Sequence, residues 1–315
     1  MRQLDICILG GSGFVGSHIA VRLAASGHRV KVLCRRRERH RNLLVVPEIQ
    51  LIEANIFDRI QLLRHFTSCD AVINLVGILN EKGHRGDGFY KLHVELAKLV
   101  LDACLSKEVP RLIHMSALNA NASNGPSFYL RSKGEAEDAM LNANSDKIAI
   151  TSFRPSVIFG PHDSFFNRFA SLLRIAPLVF PLACPDARFA PVYVGDVTNR
   201  FISALSDPSC TGQAYELCGP HDYSLIELVR YTARLLGMSK PVIGLPDAIS
   251  KLEAHIFEWL PGKPFSVDNY HSLKIDSICQ QGQHEPTSIE SIVPGYIKAG
   301  NYHHKYDDYR KTAGR

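Results

Sequence analysis

Hydrophobic and polar positions follow two different periods along the first half of the chain. Short apolar runs of strand length are separated by segments in which apolar residues recur every three or four positions, as they do in helices that cover a sheet. The helical period is clearest from Phe89 to Ala103. Strands that alternate with helices predict an α/β fold with a parallel sheet. The apolar runs predict strands near residues 4–9, 29–34, 49–53, 70–76, 110–115 and 147–153.

The second half of the chain has a different pattern. After Gly160 and Pro161 the regular alternation gives way to helices and loops with scattered prolines. We therefore expect one domain over residues 1–160 and a smaller C-terminal α/β lobe over residues 161–315. The run from Phe189 to Val194 is interpreted as a strand that returns to the sheet of the first domain. Trp259 is expected to anchor the smaller lobe, and a cleft is expected between the two parts.

A glycine-rich turn follows the first predicted strand. Gly10 permits a tight turn, Gly13 lets the backbone approach a pyrophosphate, and Gly16 lets the following helix pack closely on its strand. The phosphate charge would meet the N-terminus of that helix. This succession of strand, turn and helix predicts a Rossmann-type doubly wound parallel sheet that binds a dinucleotide. The predicted cofactor contacts in this segment are Gly10, Ser12, Gly13, Phe14, Val15 and Gly16.

The residues after the second predicted strand indicate which dinucleotide binds. In an NAD site that strand ends in a carboxylate, which accepts hydrogen bonds from the adenosine ribose. Here it ends at Cys34, and Arg35 and Arg36 follow, so the site would neutralise a 2′-phosphate that a carboxylate would repel. We therefore expect NADP(H) in preference to NAD(H); the alternative is that the arginines form a solvated loop. Asn55 and Ile56, after the third strand, are expected near the adenine.

Composition and charge exclude several classes of protein. The chain has 315 residues, of which 45% are apolar, so disorder is not expected. A net charge of +5 is spread along the sequence, which disfavours nucleic acid as a partner. The eight cysteines never form a Cys-x-x-Cys motif, so neither a metal site nor a disulfide framework is predicted. Several of them lie in apolar runs, as expected in a reducing compartment.

The sequence predicts no transmembrane segment. No apolar stretch reaches the roughly 20 residues that span a bilayer. The first predicted strand begins close to the N-terminus and leaves no room for a targeting peptide before it, so we expect a cytoplasmic location. The segment from Ala170 to Cys184 is the most suggestive of a membrane, but prolines interrupt it. We interpret it as part of a packed lobe or a pocket lid; the alternative is an interfacial contact.

A tyrosine and a lysine supply the candidate acid–base chemistry. Tyr129 and Lys133 are four residues apart on a predicted helix, so they lie on one face and one turn apart. A nearby ammonium favours the phenolate and lowers the pKa of a phenol, which makes a tyrosine usable as an acid or base at neutral pH. The pair follows the fifth predicted strand, where the nicotinamide of a bound dinucleotide should lie.

Several segments together resemble the extended and atypical short-chain dehydrogenase/reductases, of the NAD-dependent epimerase/dehydratase type. They are the glycine turn, the tyrosine and lysine pair, and residues Arg154 to Pro161. Within that superfamily, four segments are most similar to relatives of the NADPH-binding accessory subunit of respiratory complex I: residues 116–120, 129–133 and 161–167 and the tail from Pro286 to Arg310. The resemblance runs the length of the chain.

The resemblance implies a role for each position. Tyr129 would be the acid or base, and Lys133 would hold the nicotinamide ribose while lowering the tyrosine pKa. The third catalytic group of the family is a serine or threonine at the end of the fifth strand. Ser116 is the candidate, although the alignment places Ala117 there, and loss of such a donor costs on the order of 100-fold in rate. The implied cofactor contacts are Leu75, Val76 and Gly77 after the fourth strand, and Pro155 and Val157 beside the nicotinamide.

Three functions remain open at this point. The first is an NADP(H)-dependent oxidoreductase that acts on a carbonyl or alcohol of a small molecule, apolar and quinone-like or isoprenoid-like, because the segment from Phe165 to Phe180 is apolar. The second is an inactive or weakly active NADPH-binding accessory protein on a respiratory or quinone-biosynthetic complex, peripheral at the inner face of a membrane. The third is a regulator that senses the NADPH/NADP ratio.

Overall fold

The computed structural model describes residues 2–143, 146–260, 263, 265–280 and 284–298. The chain forms two compact units, and each is made from two stretches of sequence. Unit 1 comprises Met1–Pro155 and Gly195–Leu217, and unit 2 comprises Ser156–Val194 and Cys218–Arg315.

The strands are short and follow one another closely. In chain order they are β1 (Asp5–Leu9), β2 (Arg29–Cys34), β3 (Ile49–Glu53), β4 (Ala71–Asn74), β5 (Arg111–Met115), β6 (Ala149–Pro155), β7 (Ile158–Phe159), β8 (Phe180–Leu182), β9 (Arg188–Phe189), β10 (Val192–Tyr193), β11 (Gln213–Leu217), β12 (Tyr223–Ser224) and β13 (Val242–Gly244).

Helices connect most of these strands. They are α1 (Phe14–Ala25), α2 (Arg41–Leu44), α3 (Arg59–Phe66), α4 (Asp87–Phe89), α5 (Leu96–Ser106), α6 (Phe128–Leu141), α7 (Phe166–Ile175), α8 (Val194–Ala204), α9 (Leu225–Leu235), α10 (Asp247–Phe257), α11 (Val267–Ser272) and α12 (Ile289–Ile297).

Unit 1 contains a parallel sheet of seven strands in the order β11-β6-β5-β4-β1-β2-β3. The order reverses between β1 and β4, as in a doubly wound sheet, and the Rossmann-type fold expected from the sequence is confirmed. The six strands predicted in this part of the chain are all present, with ends within two residues of the predicted ones. The apolar runs identified these strands because both faces of a parallel sheet are covered by helices.

The strand predicted at 189–194 does not return to this sheet, so that prediction is wrong. The run contains Pro191, which has no N–H for a strand ladder, and it forms two separate short strands. One of them, β9, pairs with β12 in antiparallel fashion, and the other, β10, pairs with β7. The seventh strand of the large sheet is instead β11, which pairs with β6 from Gln213 to Leu217.

The helix predicted from Phe89 to Ala103 is not regular. Residues Asp87–Phe89 are α-helical, Tyr90–Glu95 form a π-helical turn, and α5 begins only at Leu96. A π-turn widens the helix locally and shifts which side chains face the sheet. His93 is thereby buried together with Val94, while α5 packs its apolar side against the core of unit 1. That core includes Leu62, Phe66, Val100 and Met140.

Unit 2 is built from helices and the three two-stranded ladders β7–β10, β8–β13 and β9–β12. One of its cores gathers Phe159, Phe166, Leu228 and Val293. Trp259 does not belong to these cores, contrary to the prediction, because 79% of its surface is exposed.

A disulfide joins Cys218 to Cys279, with Cα atoms 5.9 Å apart, so the expectation of no disulfide is corrected. The pairing arises in three dimensions around Ala190. Its carbonyl accepts the N–H of Gly219, and its own N–H donates to Ser277, which brings the two cysteine-bearing segments together. Spacing along the sequence gives no sign of it, since 61 positions separate the two cysteines. The other six cysteines are free thiols.

Over the described ranges, no helix combines the length and apolar character that a membrane crossing requires. The same residues hold no group of three or more histidine, cysteine or acidic side chains suited to a metal ion.

Candidate dinucleotide and acid–base site

The glycine turn has the geometry that the sequence predicts. After β1 the chain turns at Gly10, whose φ of +76° lies in the left-handed region that glycine occupies without strain. The N–H of Gly13 closes the turn on the carbonyl of Gly10 at 3.0 Å. A Cβ at Gly10 would stand 3.0 Å from the carbonyl carbon of Leu75, so the turn also lies tightly against the end of β4.

The third glycine allows α1 to lie directly on the turn. A Cβ at Gly16 would be only 2.3 Å from the carbonyl oxygen of Gly10 and 2.5 Å from the Cα of Gly11. No other residue fits this position without moving the backbone, because real Cβ contacts are not that short. The role predicted for Gly16 in helix packing thus agrees with the observed backbone.

The N-terminus of α1 fits an anionic group. Its N-cap, Gly13, has no side chain to satisfy the first N–H groups, and its first turn carries no acidic residue. The N–H groups of Phe14, Val15 and Gly16 lack partners within the helix, and the helix dipole adds positive charge there. Gly13 is exposed, and Ser12 beside it is half-buried. The backbone present therefore fits a dinucleotide pyrophosphate, which helix N-termini of this kind hold.

The arginines after β2 are exposed, but an acid lies nearby. Cys34 and Glu53 are register partners on β2 and β3, and Glu53 accepts the backbone N–H of Arg37 at 2.7 Å. The sequence of the second strand does not reveal this carboxylate, because Glu53 lies on the neighbouring strand β3. Arg35 and Arg36 have no ion-pair partner among the residues that the structure describes.

Asn55 and Ile56 lie just beyond the end of β3. The side-chain oxygen of Asn55 accepts the N–H of Phe57, and its backbone N–H donates to Gln61. This turn leads into α3, which Asp58 caps. Ile56 packs against the core of unit 1.

The segment after β4 lies next to both the glycine turn and the lysine of α6. The N–H of Leu75 donates to Leu9, the last residue of β1, and the N–H of Val76 donates to the side chain of Asn74. Gly77 follows directly, and a Cβ there would be 3.1 Å from the Nζ of Lys133. A side chain at position 77 would therefore press on the lysine, whose end would have to shift by a few tenths of an ångström.

Lys133 is buried and fixed in place. Ser127 caps α6 by accepting the N–H of Leu130, and Lys133 follows on the face of α6 that is buried. Its ammonium donates to the carbonyl of Met115, the last residue of β5, at 2.9 Å. Burial lowers the pKa of Lys133 to about 8, although the carboxylate of Glu137 works in the opposite direction. An ammonium with this pKa is still mostly protonated at neutral pH.

Tyr129 lies one turn before Lys133 and is half-buried among rings. Its ring meets those of Phe89 and His93 edge-on, with centroids 5.9 and 5.6 Å away. It also packs against the small apolar cluster of Ala117, Ala120 and Leu130. Tyr129, the predicted acid or base, is therefore on the same helix as Lys133 and in the same unit as the glycine turn.

His93 is a site residue that sequence reasoning missed. Its Nε2 accepts the N–H of Ile78 at 3.1 Å, so its Nδ1 carries the proton that is shared with the Ser132 hydroxyl at 2.8 Å. Burial, with the charge of Lys133 second, lowers the pKa of His93 to about 2 and keeps it neutral. It ties the loop after β4 to α6. A histidine within an apolar helical pattern was the one signal in the sequence, and its partners are distant along the chain.

The position after β5 carries no exposed hydroxyl. Ser116 is buried and its N–H donates to Phe153, while its Oγ has no hydrogen-bond partner among the residues that the structure describes. Ala117 presents a methyl group to the cluster that Tyr129 joins. The nearby His114 is also buried, and burial lowers its pKa to about 3. The structure therefore places a methyl where the family's hydroxyl was expected.

Pro155 and Val157 belong to different units. Pro155 ends β6 in unit 1, and its carbonyl accepts the N–H of Leu118 at 3.0 Å. Val157 lies in unit 2, where its carbonyl accepts the N–H of Val192. Their predicted place beside the nicotinamide stays a prediction.

Comparison with known proteins gives a consistent result. The model of the NAD dependent epimerase/dehydratase family matches residues 6–218. NADH dehydrogenase (ubiquinone) 1 alpha subcomplex subunit 9, mitochondrial, of Mus musculus is 29% identical over 270 residues, which are 84% of this chain and 67% of that protein. The ceramide reductase of Caulobacter vibrioides is 26% identical over 247 residues, 77% of this chain and 74% of that protein.

A solved structure supports the fold. An epimerase from Methanothermobacter thermautotrophicus superposes with a TM-score of 0.72 at 17% identity, and the superposition covers 98% of this chain and 95% of that one. The family model matches the first two thirds of the sequence, and the glycine turn and the reversal of strand order agree with it. The chain therefore belongs to the NAD dependent epimerase/dehydratase family.

Proposed function

We propose that the protein is an NADP(H)-dependent oxidoreductase that interconverts a carbonyl and an alcohol on an apolar small molecule. One observation carries the proposal. The ammonium of Lys133 lies between the carbonyl of Met115 and Gly77, one turn from Tyr129. The glycine turn lies at the same carboxyl ends of the parallel strands. A ligand bound there would meet both the phosphate-binding backbone and an acid–base pair.

The chain's own residues would hold the cofactor in three places. The N–H groups at the start of α1 would bind the pyrophosphate, and Lys133 would donate to the nicotinamide ribose. The guanidinium groups of Arg35 and Arg36 would bind a 2′-phosphate, which NAD(H) lacks. When bound, the nicotinamide supplies or accepts a hydride.

Tyr129 would hold and move the proton of the reaction. Its hydroxyl would donate a proton to the developing alkoxide during reduction, and its phenolate would accept the proton of the alcohol during oxidation. The positive charge of Lys133, one turn away, would favour a phenolate at this position. Neutral His93 holds Ser132 and the loop after β4. Surrounding rings exclude water from one side of Tyr129.

The names of two relatives narrow the proposed substrate. One is a ceramide reductase, and another, 23% identical over 78% of this chain, is a 2-alkyl-3-oxoalkanoate reductase. Both names describe substrates that carry alkyl groups, which agrees with the apolar substrate that the sequence favours. We propose that the substrate is a ketone flanked by alkyl or isoprenoid chains. We also propose that the protein is located in the cytoplasm.

The test combines binding with turnover. Purified protein should bind NADPH more tightly than NADH, and Arg35→Glu with Arg36→Glu should reverse that order, because the carboxylates repel a 2′-phosphate. Tyr129→Phe should lower the rate of NADPH oxidation with 3-oxoacyl substrates by about 10²- to 10⁴-fold and leave NADPH affinity unchanged. Tyr90→Phe, at an exposed tyrosine, is the matched control. Equal activity of wild type and Tyr129→Phe would remove the catalytic assignment.

A second function is favoured by Ala117. Because this position lacks a hydroxyl, bound NADPH would stabilise an accessory protein of a respiratory or quinone-biosynthetic complex, peripheral to a membrane and without turnover. Complex I subunits among the relatives agree with this reading. Ala117→Ser distinguishes the two functions: an active enzyme gains or keeps its rate, whereas an accessory protein stays inert with every substrate while holding NADPH.

A further inference from the structure

Helix α10 exposes its large apolar side chains. Ile249, Leu252 and Ile256 follow one another at three and four residues, and 47%, 59% and 55% of their surfaces are exposed. The stripe continues past the end of the helix with Trp259 and Leu260, both exposed. These five residues are called the apolar ridge below. A surface helix of a globular protein normally turns such residues inward.

The inner face of α10 is made of small and polar residues instead. Ser250 and Ala254 are fully buried, and Ser250 accepts the N–H of Cys184 and donates to the carbonyl of Leu245. Glu253 is half-buried, and within the described part of the chain one of its carboxylate oxygens has no hydrogen-bond partner. The apolar side of the helix therefore contributes little to the core of unit 2. An apolar stripe this long on a surface indicates a site of interaction.

An exposed lysine lies beside the apolar ridge. Asp247, in the first turn of α10, is bonded to the Tyr270 hydroxyl and forms an ion pair with Lys274, so its charge is balanced. Lys251 and His255 are exposed between the apolar positions. The exposed side of the helix therefore presents apolar groups and the Lys251 ammonium together, while Asp247 is paired with Lys274 and Glu253 and Glu258 are half-buried.

We propose that α10 docks unit 2 on a lipid bilayer that contains anionic phospholipid, with the helix in the plane of the interface and the apolar ridge among the acyl chains. A helix with an apolar stripe, a lysine beside it and a tryptophan at one end is typical of interfacial segments. Ile243, on β13 just before α10, and Leu178, before the paired strand β8, add exposed apolar groups on the same unit. Membrane attachment of this kind would bring the protein close to lipid-soluble molecules.

The single tryptophan of the chain lies in the apolar ridge, so its fluorescence reports on this surface alone. Vesicles of phosphatidylcholine with phosphatidylglycerol should shift the emission of Trp259 to shorter wavelength. In a flotation assay, the protein should rise through the density gradient together with these vesicles. Vesicles of phosphatidylcholine alone should bind more weakly, and salt should weaken the binding to the anionic vesicles. The measurement needs neither dinucleotide nor substrate, so its outcome is separate from that of the proposed function.

Paired variants complete the test. Leu252→Asp and Ile256→Asp, at exposed positions, should keep the fold and lower the partition coefficient by about tenfold or more each, because each removes a large apolar group from the acyl region. Ile60→Asp, at an isoleucine of α3 that is 77% exposed in unit 1, should leave the partition unchanged. The proposal is overturned if wild type shows no emission shift or flotation with anionic vesicles. Self-association that the ridge variants abolish, without any vesicle binding, overturns it as well.

Discussion

The space for a Cβ atom decides the identity of residue 16. Gly16→Ala would force its Cβ against the Gly10 carbonyl, whose distance of 2.3 Å no side-chain movement relieves. We expect α1 to move away from the turn, with a loss of dinucleotide affinity and a lower free energy of unfolding, even though alanine favours helix by about 1 kcal/mol over glycine. Chemical denaturation and NADPH titration measure the two effects.

Gly295→Ala is the matched control for that substitution. Gly295 lies within α12, and a Cβ there would meet nothing within 4 Å. Helix propensity should then act alone and leave stability equal or slightly higher. If both alanine variants behaved alike, the close packing of α1 on the turn would not matter to the fold.

Burial of Lys133 gives stability a specific dependence on pH. Its pKa falls from 10.5 to about 8 on folding, so between these values the unfolded chain binds more protons than the folded one. The contribution of Lys133 to the free energy of unfolding is therefore least favourable below pH 8 and rises toward pH 10.5, by about 3 kcal/mol in total. Denaturation at a series of pH values should show this rise in wild type relative to Lys133→Met. Parallel pH curves for the two proteins would contradict a buried ammonium.

At the scale of elements, the π-helical turn is held by His93. His93→Leu removes the acceptor of the Ile78 N–H and the partner of the Ser132 hydroxyl, and should lower the free energy of unfolding by about 1–3 kcal/mol. If His93 positions α6, kcat should fall with little change in the KM for NADPH. Its pKa of about 2 predicts that both effects are constant across the usual assay range of pH.

His65→Leu serves as control for the histidine variant. His65 lies on α3, away from α6 and the loop after β4, and is half-buried. Its replacement should change neither kcat nor the KM for NADPH. An equal fall in kcat for the two variants would show that His93 acts through general stability only.

Most strands of unit 1 could be predicted because they are buried on both faces, so each is a continuous run of apolar residues. Ile6 and Ile8 are apolar since helices cover both faces of β1. The edge strand β11 was missed because only Leu217, its last residue, is buried, so its pattern resembles a loop. Likewise Glu53 and His93 act on partners from other segments, and no local period records such pairs. The glycine turn was predictable because its chemistry is contained in seven consecutive residues.

At the scale of the whole molecule, the disulfide should matter to unit 2. The bond between Cys218 and Cys279 closes a loop of 61 positions, which stabilises the fold by about 4 kcal/mol through restriction of the unfolded chain. Cys218→Ser, or a strong reductant, should lower the free energy of unfolding by that amount and, with it, the midpoint of thermal unfolding. Cys184→Ser, at a free and half-buried cysteine of the same unit, should change it little. An unchanged midpoint under reductant would show that the thiols are already reduced in solution.

Unit 1 is interrupted in sequence, and this shapes the order in which the chain can be completed during synthesis. The strand β6 ends at Pro155, whereas its neighbour β11 begins only at Gln213. A nascent chain emerging from the ribosome therefore carries β6 as an open edge while the first stretch of unit 2 is translated, and open strand edges recruit other strands. Fragments that stop between these two points would retain the cofactor turn but leave the sheet without its last strand, and they should be prone to aggregate.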